Sequence, residues 1–193
     1  MKIQDHPRFQ NIRKVSGYFL SLTGFLIVLT PLIGLGMCVK VLVTSSGEMD
    51  IVWFLSRCFF QADFISFETG ITWPLKIFLL AAVVLTTIFA EIILFHLNKM
   101  LASFQAGDVF NVETLKNAKA AFKANVLVSV LYLGFELVGW FLNCITTHGM
   151  PGEAFSHLLG SVADIAVWLG ITLLIIWTLE IGVALHEESE LTI

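Results

Sequence analysis

The sequence predicts an all-α membrane protein: a four-transmembrane-helix bundle in which helices two and three extend into a cytosolic hairpin. Its 193 residues are 57% hydrophobic and 13% charged, and their mean hydropathy is +0.87. Soluble domains carry about 25% charged residues, so this composition indicates an integral membrane protein. Four apolar runs are close to or longer than the roughly 20 residues that a transmembrane helix needs.

The predicted spans cover residues 18–43, 73–95, 125–141 and 157–179, to within a few residues. They belong to a single membrane domain, with outer loops at 44–72 and 142–156, the cytosolic hairpin at 96–123 and a cytosolic tail at 180–193.

Lysine and arginine set the predicted orientation, because basic residues in short loops mark the cytoplasmic side. Four basic residues precede the first span and four lie between Lys99 and Lys123, whereas Arg57 is the one basic residue of the two outer loops. We therefore expect both termini in the cytoplasm. The first apolar run is too long for a signal-peptide core and no small-residue cleavage pattern follows it, so we expect it to stay in the mature chain.

The first span is rich in small residues, namely Gly17, Ser21, Gly24, Gly34 and Gly36. Small residues let transmembrane backbones approach closely, which indicates helix packing within the bundle; a homodimer interface is the alternative. Pro31 predicts a kink in this helix, and Cys38 is expected to be a small core residue.

The first outer loop is rich in aromatic residues, namely Trp53, Phe54, Phe59, Phe60, Phe64 and Phe67. Such rings settle at the level of the lipid headgroups, which favours a segment lying on the outer leaflet. A lid over the bundle that binds a small apolar ligand is the alternative. Cys58 in this loop and Cys144 in the second outer loop could form a disulfide in an oxidising periplasm, although the sequence leaves their separation open.

Residues 97–122 form the one sizeable polar segment between two long apolar runs. Apolar residues recur at helical spacing before Gly107 and after Asn111, which predicts two helices joined by a turn. Gly107 can adopt the left-handed backbone that ends the first helix, and Asn111 is a favourable N-cap with Glu113 in the following turn. An unbroken helix from Asn111 to Phe141 would be roughly 45 Å long against a hydrocarbon core of about 30 Å, so part of it must stand outside the lipid.

Five charged residues fall within the predicted spans: Lys40, Lys76, Glu91, Glu136 and Asp164. Ionisable groups in lipid are costly unless they pair or reach water, so each is a candidate functional residue. Glu91 lies near the cytosolic end and could snorkel or pair with Lys123. The other four lie at similar depths near the outer face, which predicts a charge layer where Glu136 or Asp164 pairs with Lys40 or Lys76; separate snorkelling to water is the alternative.

No nucleotide-binding loop, nucleophile elbow or HExxH zinc motif occurs in the sequence. His148, Glu153, His157 and Cys144 gather near the second outer loop, but their spacing fits no common ligand pattern. We therefore expect no enzymatic activity, no cofactor, no metal site and no direct contact with nucleic acid.

Two stretches, LASFQAGDVFNVETLKNAK and the ending LHEESELTI, resemble a bacterial four-span membrane protein family catalogued as domain of unknown function 2975. Members show a glycine, a phenylalanine three residues later, a basic and apolar helix, and an acidic ending that closes on Leu-Thr-Ile. The positions that match are Gly107, Phe110, Glu113, Lys116, Glu187, Glu188, Glu190, Leu191, Thr192 and Ile193. The chain departs from the family at Val109, where proline is usual, and at Thr114, where asparagine is usual.

The resemblance implies a membrane partner for a transcription factor, because genes of this type often lie beside small helix-turn-helix regulators. We therefore expect a regulatory or scaffold protein in the lipid bilayer of the bacterial inner membrane, whose hairpin and acidic tail dock a cytosolic protein. The expected partner-binding residues are Gly107, Phe110, Asn111, Lys116, Glu187, Glu188, Glu190, Leu191 and Ile193. The alternative is a small transporter or channel that uses Glu91, Glu136 and Asp164.

Overall fold

The computed structural model describes residues 7–43, 73–146 and 152–191, and they form four long α-helices. These are α1 (Pro7–Val43), α2 (Trp73–Ala106), α3 (Val112–Thr146) and α4 (Gly152–Leu191). The predicted all-α class is therefore confirmed, and α3 runs without a break from its predicted start.

Each helix contains a stretch long and apolar enough to cross a membrane: Gln10–Val43, Lys76–Ala106, Val112–Val138 and Leu158–Glu188. The most apolar part of each stretch is only 6% to 17% buried, so large apolar side chains such as Phe25 and Val167 (both 62% exposed) face outward. This exposure suits lipid as the solvent, since a bilayer removes the cost of exposing apolar surface. Four candidate spanning helices indicate a multi-pass membrane protein.

The helices are longer than the predicted spans. With 34 to 40 residues each, they are roughly 50 to 60 Å long, against a hydrocarbon core of about 30 Å. α3 and α4 take up residues 142–146 and 152–156 of the predicted outer loop, and α4 continues through the predicted tail as far as Leu191. Hydropathy locates the lipid-facing part of a helix, whereas hydrogen bonding continues until a residue interrupts it.

The chain forms two compact units, and each unit contains one segment of every helix. The described residues of unit one fall within Met1–Pro31, Phe89–Asn125 and Leu169–Ile193, and those of unit two within Leu32–Ile88 and Val126–Trp168.

Unit two has a mainly apolar interior that includes Val41, Leu79, Ala82 and Val83. α1 and α2 approach closely here, because a Cβ at Gly34 would lie 2.6 Å from the Oγ1 atom of Thr87. This contact supports the predicted packing role at Gly34, whereas a Cβ at Gly24 or Gly36 would meet nothing within 4 Å. The ring of Phe78 on α2 meets that of Phe135 on α3 edge to face, with centroids 5.3 Å apart.

Unit one has a more polar interior. Its buried residues include Ser16, Thr23, Thr114 and Asn117 together with Ala118, Ala124, Ile176 and Val183. Thr23 satisfies its hydroxyl within its own helix, donating to the carbonyl oxygen of Phe19 at 2.9 Å. Since buried polar groups require partners, hydrogen bonds accompany apolar packing in this interior.

Several predictions concern residues outside those that the structure describes. The aromatic loop with Cys58 is among them, as are His148 and the last two residues of the chain, and the side chains of Cys144, Glu153 and His157 are not described either. The disulfide between Cys58 and Cys144 and the interfacial loop therefore stay predictions. Cys38 is a free, partly buried cysteine in α1.

Candidate functional site

The turn between α2 and α3 is closed by hydrogen bonds at the end of α2. The backbone N–H of Asp108 donates to the carbonyl oxygen of Ser103 at 3.0 Å, and that of Gly107 donates to the carbonyl oxygen of Phe104 at 3.1 Å. This pair of bonds is the Schellman motif, which needs a left-handed residue just after the helix. Gly107 supplies it with a φ of 89°, so the predicted helix-ending role of Gly107 is confirmed.

The start of α3 is specified equally locally. Asn111 Oδ1 accepts hydrogen bonds from the backbone N–H groups of Glu113 and Thr114, the latter at 3.1 Å. The N-cap predicted at Asn111 is thus confirmed. The amide of Asn111 also donates to Asp108 Oδ2 at 2.7 Å, which links the cap to the residue that completes the Schellman motif. The five residues from Gly107 to Asn111 therefore form a defined turn.

α1 holds the end of α2 from one side. The Nε atom of Arg13 donates to the carbonyl oxygen of Gln105 at 2.9 Å, one of the carbonyls that the helix end leaves without a partner. A cation at a helix C-terminus also interacts favourably with the helix dipole. This role of Arg13 was not predicted, because no local pattern connects residue 13 with residue 105.

α4 also contacts this region, at the turn itself. The ring of Phe110 lies so close to the backbone of Gly182 that a Cβ on Gly182 would overlap its carbon atoms. Lys119 on α3 and Glu180 on α4 form an ion pair at 2.8 Å, with side chains 45% and 49% exposed. At that exposure the pair is worth at most about 1 kcal/mol, so the close approach of Phe110 to Gly182 is the more specific contact.

Below the turn, His96 of α2 and Asn117 of α3 form a hydrogen bond between Nδ1 and Oδ1 at 3.0 Å. Asn117 is 7% exposed, and buried Thr114 directs its Oγ1 atom to the carbonyl oxygen of Asp108 at 3.4 Å. These bonds fix α2 and α3 against each other beneath the turn. His96 and Asn117 were also not predicted, although a histidine and an asparagine at the polar end of two apolar helices offered a signal.

The residues predicted to bind a partner are partly brought together. Phe110 of the turn is 39% exposed beside α4, Lys116 is exposed on α3, and Glu187 and Glu188 are exposed further along α4. Two exposed apolar residues were not predicted: Val112 at 60% and Leu185 at 61%. We call Phe110, Val112, Lys116, Leu185, Glu187 and Glu188 the turn–α4 surface. The side chains of Glu190 and Leu191, and Ile193 as a whole, lie outside the described residues.

The charged residues in the spans are arranged differently from the predicted charge layer. Glu136 is 5% exposed and its Oε1 atom accepts a hydrogen bond from Ser161 at 2.8 Å, so a serine takes the place expected for lysine. Lys76 donates to the carbonyl oxygen of Leu42 at 3.4 Å, and its Nζ atom lies 5.5 Å from the centroid of the Trp73 ring. Depth was predicted from residue counts, which do not determine the helix face on which a side chain lies.

Two carboxylate oxygens are buried without a hydrogen-bond partner among the described residues: Oε1 of Glu91 in unit one and Oε2 of Glu136 in unit two. Asp164 and Lys40, by contrast, are exposed. Within the described ranges, no three histidine, cysteine, aspartate or glutamate side chains lie together as a metal ion would need.

Comparison with known proteins gives one finding. A family model described as "Protein of unknown function (DUF2975)" matches residues 61–193. No curated protein and no solved structure matches the chain. The match includes the turn motif around Gly107 and Phe110 and the acidic ending, and it covers more than half of the 193 residues. The chain therefore belongs to the DUF2975 family.

Proposed function

We propose that the protein is a regulatory or scaffold protein of the bacterial inner membrane whose turn–α4 surface docks a cytosolic protein. The observation that carries this proposal is the contact between Phe110, in the first segment that resembles the family, and Gly182, which lies three residues before the second. Phe110 thereby lies against α4 five residues before Glu187, where the acidic end of that helix begins.

The orientation follows from charge. The basic residues before the first span and between Lys99 and Lys123 favour a cytoplasmic position for unit one, with the turn and the end of α4. Reporter fusions test this directly: fusions at Gly107 and Ile193 should report the cytosol, and fusions at Gly47 and Gly152 the periplasm. A cytosolic signal at Gly152 would refute the four-span topology.

The chemistry of the surface suits a basic partner with an apolar contact. Glu187 and Glu188 are exposed and negatively charged, and Leu185 lies three residues beyond Gly182, so it shares the helix face that Phe110 contacts. DNA-binding regulators carry basic surfaces. A small helix-turn-helix regulator bound here by its basic face would be held at the membrane and kept from DNA.

The test is capture of the regulator by full-length protein in solubilised membranes. Glu187→Gln with Glu188→Gln should weaken capture, and Glu187→Lys with Glu188→Lys should abolish it, because reversal adds repulsion to the loss of attraction. Gln10→Lys is the matched control, since it adds a positive charge at an exposed position of α1. A chain truncated after Ala184 should capture nothing. Equal capture by the parent and both Glu187/Glu188 variants would refute the proposal.

A small transporter or channel is the second candidate, and the buried carboxylate oxygens of Glu91 and Glu136 favour it. Buried carboxylates in membrane helices commonly mark ion or proton pathways. Purified protein in sealed vesicles should then pass protons or cations, and Glu136→Gln should reduce the flux, whereas Glu187→Gln should leave it unchanged. Flux equal to that of empty vesicles would remove this candidate.

A further inference from the structure

An open groove of about 600 Å³ lies beside the N-terminal part of α1, within unit one. The described residues that line it are Arg13, Lys14, Gly17, Tyr18, Ser21 and Gln105. Two of these six side chains are cationic and none of the six is acidic, so this described lining is electropositive. Neither the docking surface nor the buried carboxylates use this groove.

Arg13 is held in a position to bind an anion. Its Nε atom donates to the carbonyl oxygen of Gln105, which fixes the plane of the guanidinium group at the end of α2. A guanidinium has five N–H donors, so four remain for oxygen atoms in the groove. The fork of these donors matches the geometry of two phosphate oxygens. Gly17 leaves room for this arrangement, because a Cβ there would lie 3.2 Å from the Nε2 atom of Gln105.

Beyond the groove, α1 has an apolar face on the same side as Lys14, Tyr18 and Ser21. Lys14, Tyr18 and Ser21 are followed at spacings of three and four residues by Phe25 and Val28, so all five share one side of α1. Phe25 is 62% exposed and Val28 63% exposed. A surface that is cationic at one end and apolar beyond matches a charged headgroup followed by an acyl chain, with tyrosine at the boundary as in membrane interfaces.

We propose that this groove binds the phosphate group of an anionic phospholipid, with Arg13 and Lys14 on the phosphate and Phe25 and Val28 along an acyl chain. Free phosphate has the same headgroup chemistry but would contact only the polar end. A zwitterionic lipid has a compensating ammonium group, which lowers its attraction to two cations. Each lysine or arginine near an anionic lipid surface typically contributes about fivefold in binding.

The experiment uses full-length protein in neutral detergent and compares three ligands: phosphatidylglycerol, phosphatidylcholine with the same acyl chains, and inorganic phosphate. The readouts are the thermal unfolding midpoint and the number of lipids retained in native mass spectrometry. Phosphatidylglycerol should raise the midpoint and stay bound, with much smaller effects of the other two. An equal rise with inorganic phosphate, or with phosphatidylcholine, would overturn the proposal of an anionic lipid.

Variants locate the binding in the groove. Lys14→Gln should weaken phosphatidylglycerol binding about fivefold, and adding Arg13→Gln should weaken it about 25-fold in total. If Arg13→Gln disturbs folding through loss of its contact to Gln105, the Lys14→Gln variant alone tests lipid binding in the groove. Lys123→Gln is the matched control, because it removes one positive charge at an exposed position of α3 outside the groove. Unchanged binding by Lys14→Gln, or an equal loss in Lys123→Gln, would overturn the assignment.

Discussion

The contact between the turn and α4 makes a prediction for Gly182→Ala that opposes ordinary helix propensity. Alanine in place of glycine inside a helix normally adds about 1 kcal/mol of stability. At Gly182 the new methyl group would overlap the ring of Phe110, which must then shift within the packing or move out to water. Overpacking typically costs about 1 to 3 kcal/mol, and full loss of phenylalanine burial about 1.5 to 3 kcal/mol. The cost exceeds the propensity gain, so we expect a net loss of about 1 kcal/mol.

Gly170→Ala is the matched control, because Gly170 lies in the same helix and the same unit, and a Cβ added there would meet no side chain or neighbouring helix within 4 Å. The assay is thermal unfolding of both full-length variants and the parent in the same detergent. We expect Gly170→Ala to equal or exceed the parent and Gly182→Ala to be less stable than Gly170→Ala by roughly 2 kcal/mol. Adding Phe110→Leu should reduce that difference, since the two positions are coupled. Equal stability of the two alanine variants would refute the contact between Phe110 and Gly182.

Three further predictions follow from the backbone angle of Gly107 and from the hydrogen bonds of Asn111 and Ser161. Gly107→Val should lower stability by about 1 to 3 kcal/mol, because valine is strained at a φ of 89°. Gly107→Asn should lower stability less, because asparagine tolerates the left-handed backbone. Equal unfolding midpoints of the two variants would contradict the left-handed turn. Asn111→Ala should lower stability by about 1 kcal/mol, and Asn111→Ser, which keeps a capping oxygen, should stay near the parent in the same assay. Ser161→Ala should lower stability by about 1 to 3 kcal/mol, because it removes the hydrogen-bond donor of buried Glu136. Ser21→Ala is the control and should lower stability less, because the Ser21 hydroxyl bonds within its own helix. A larger loss in Ser21→Ala than in Ser161→Ala would exclude the contact between Ser161 and Glu136.

The parts of the fold that follow from neighbouring residues could be predicted from the sequence. Gly107 and Asn111 specify their helix ends through bonds to residues within five positions, so spacing alone was informative. The four long apolar helices could be predicted, because an apolar run of about 20 residues is itself the signal of a candidate membrane span. The C-terminal end of α3 and both ends of α4 could not be predicted, because these helices continue beyond their apolar stretches.

The contacts that assemble the candidate site could not be predicted. Arg13 and Gln105 are 92 residues apart, and the partner of Glu136 is Ser161 rather than a lysine. Both pairings depend on which face of each helix turns toward its neighbour. The helices are only weakly amphipathic, so their sequences give little information on rotation about the helix axis. Phe110 was singled out by the family resemblance, but its position against Gly182 needed the structure.

The most direct test of the turn–α4 surface is photocrosslinking in intact cells. A photoreactive amino acid is placed at Val112, at Leu185, or at the control position Val167, which are 60%, 61% and 62% exposed. If the turn and the end of α4 form one docking surface, Val112 and Leu185 should crosslink the same helix-turn-helix regulator, and Val167 should crosslink no regulator. No regulator at Val112 or Leu185, or equal crosslinking of it from Val167, would contradict the proposed surface.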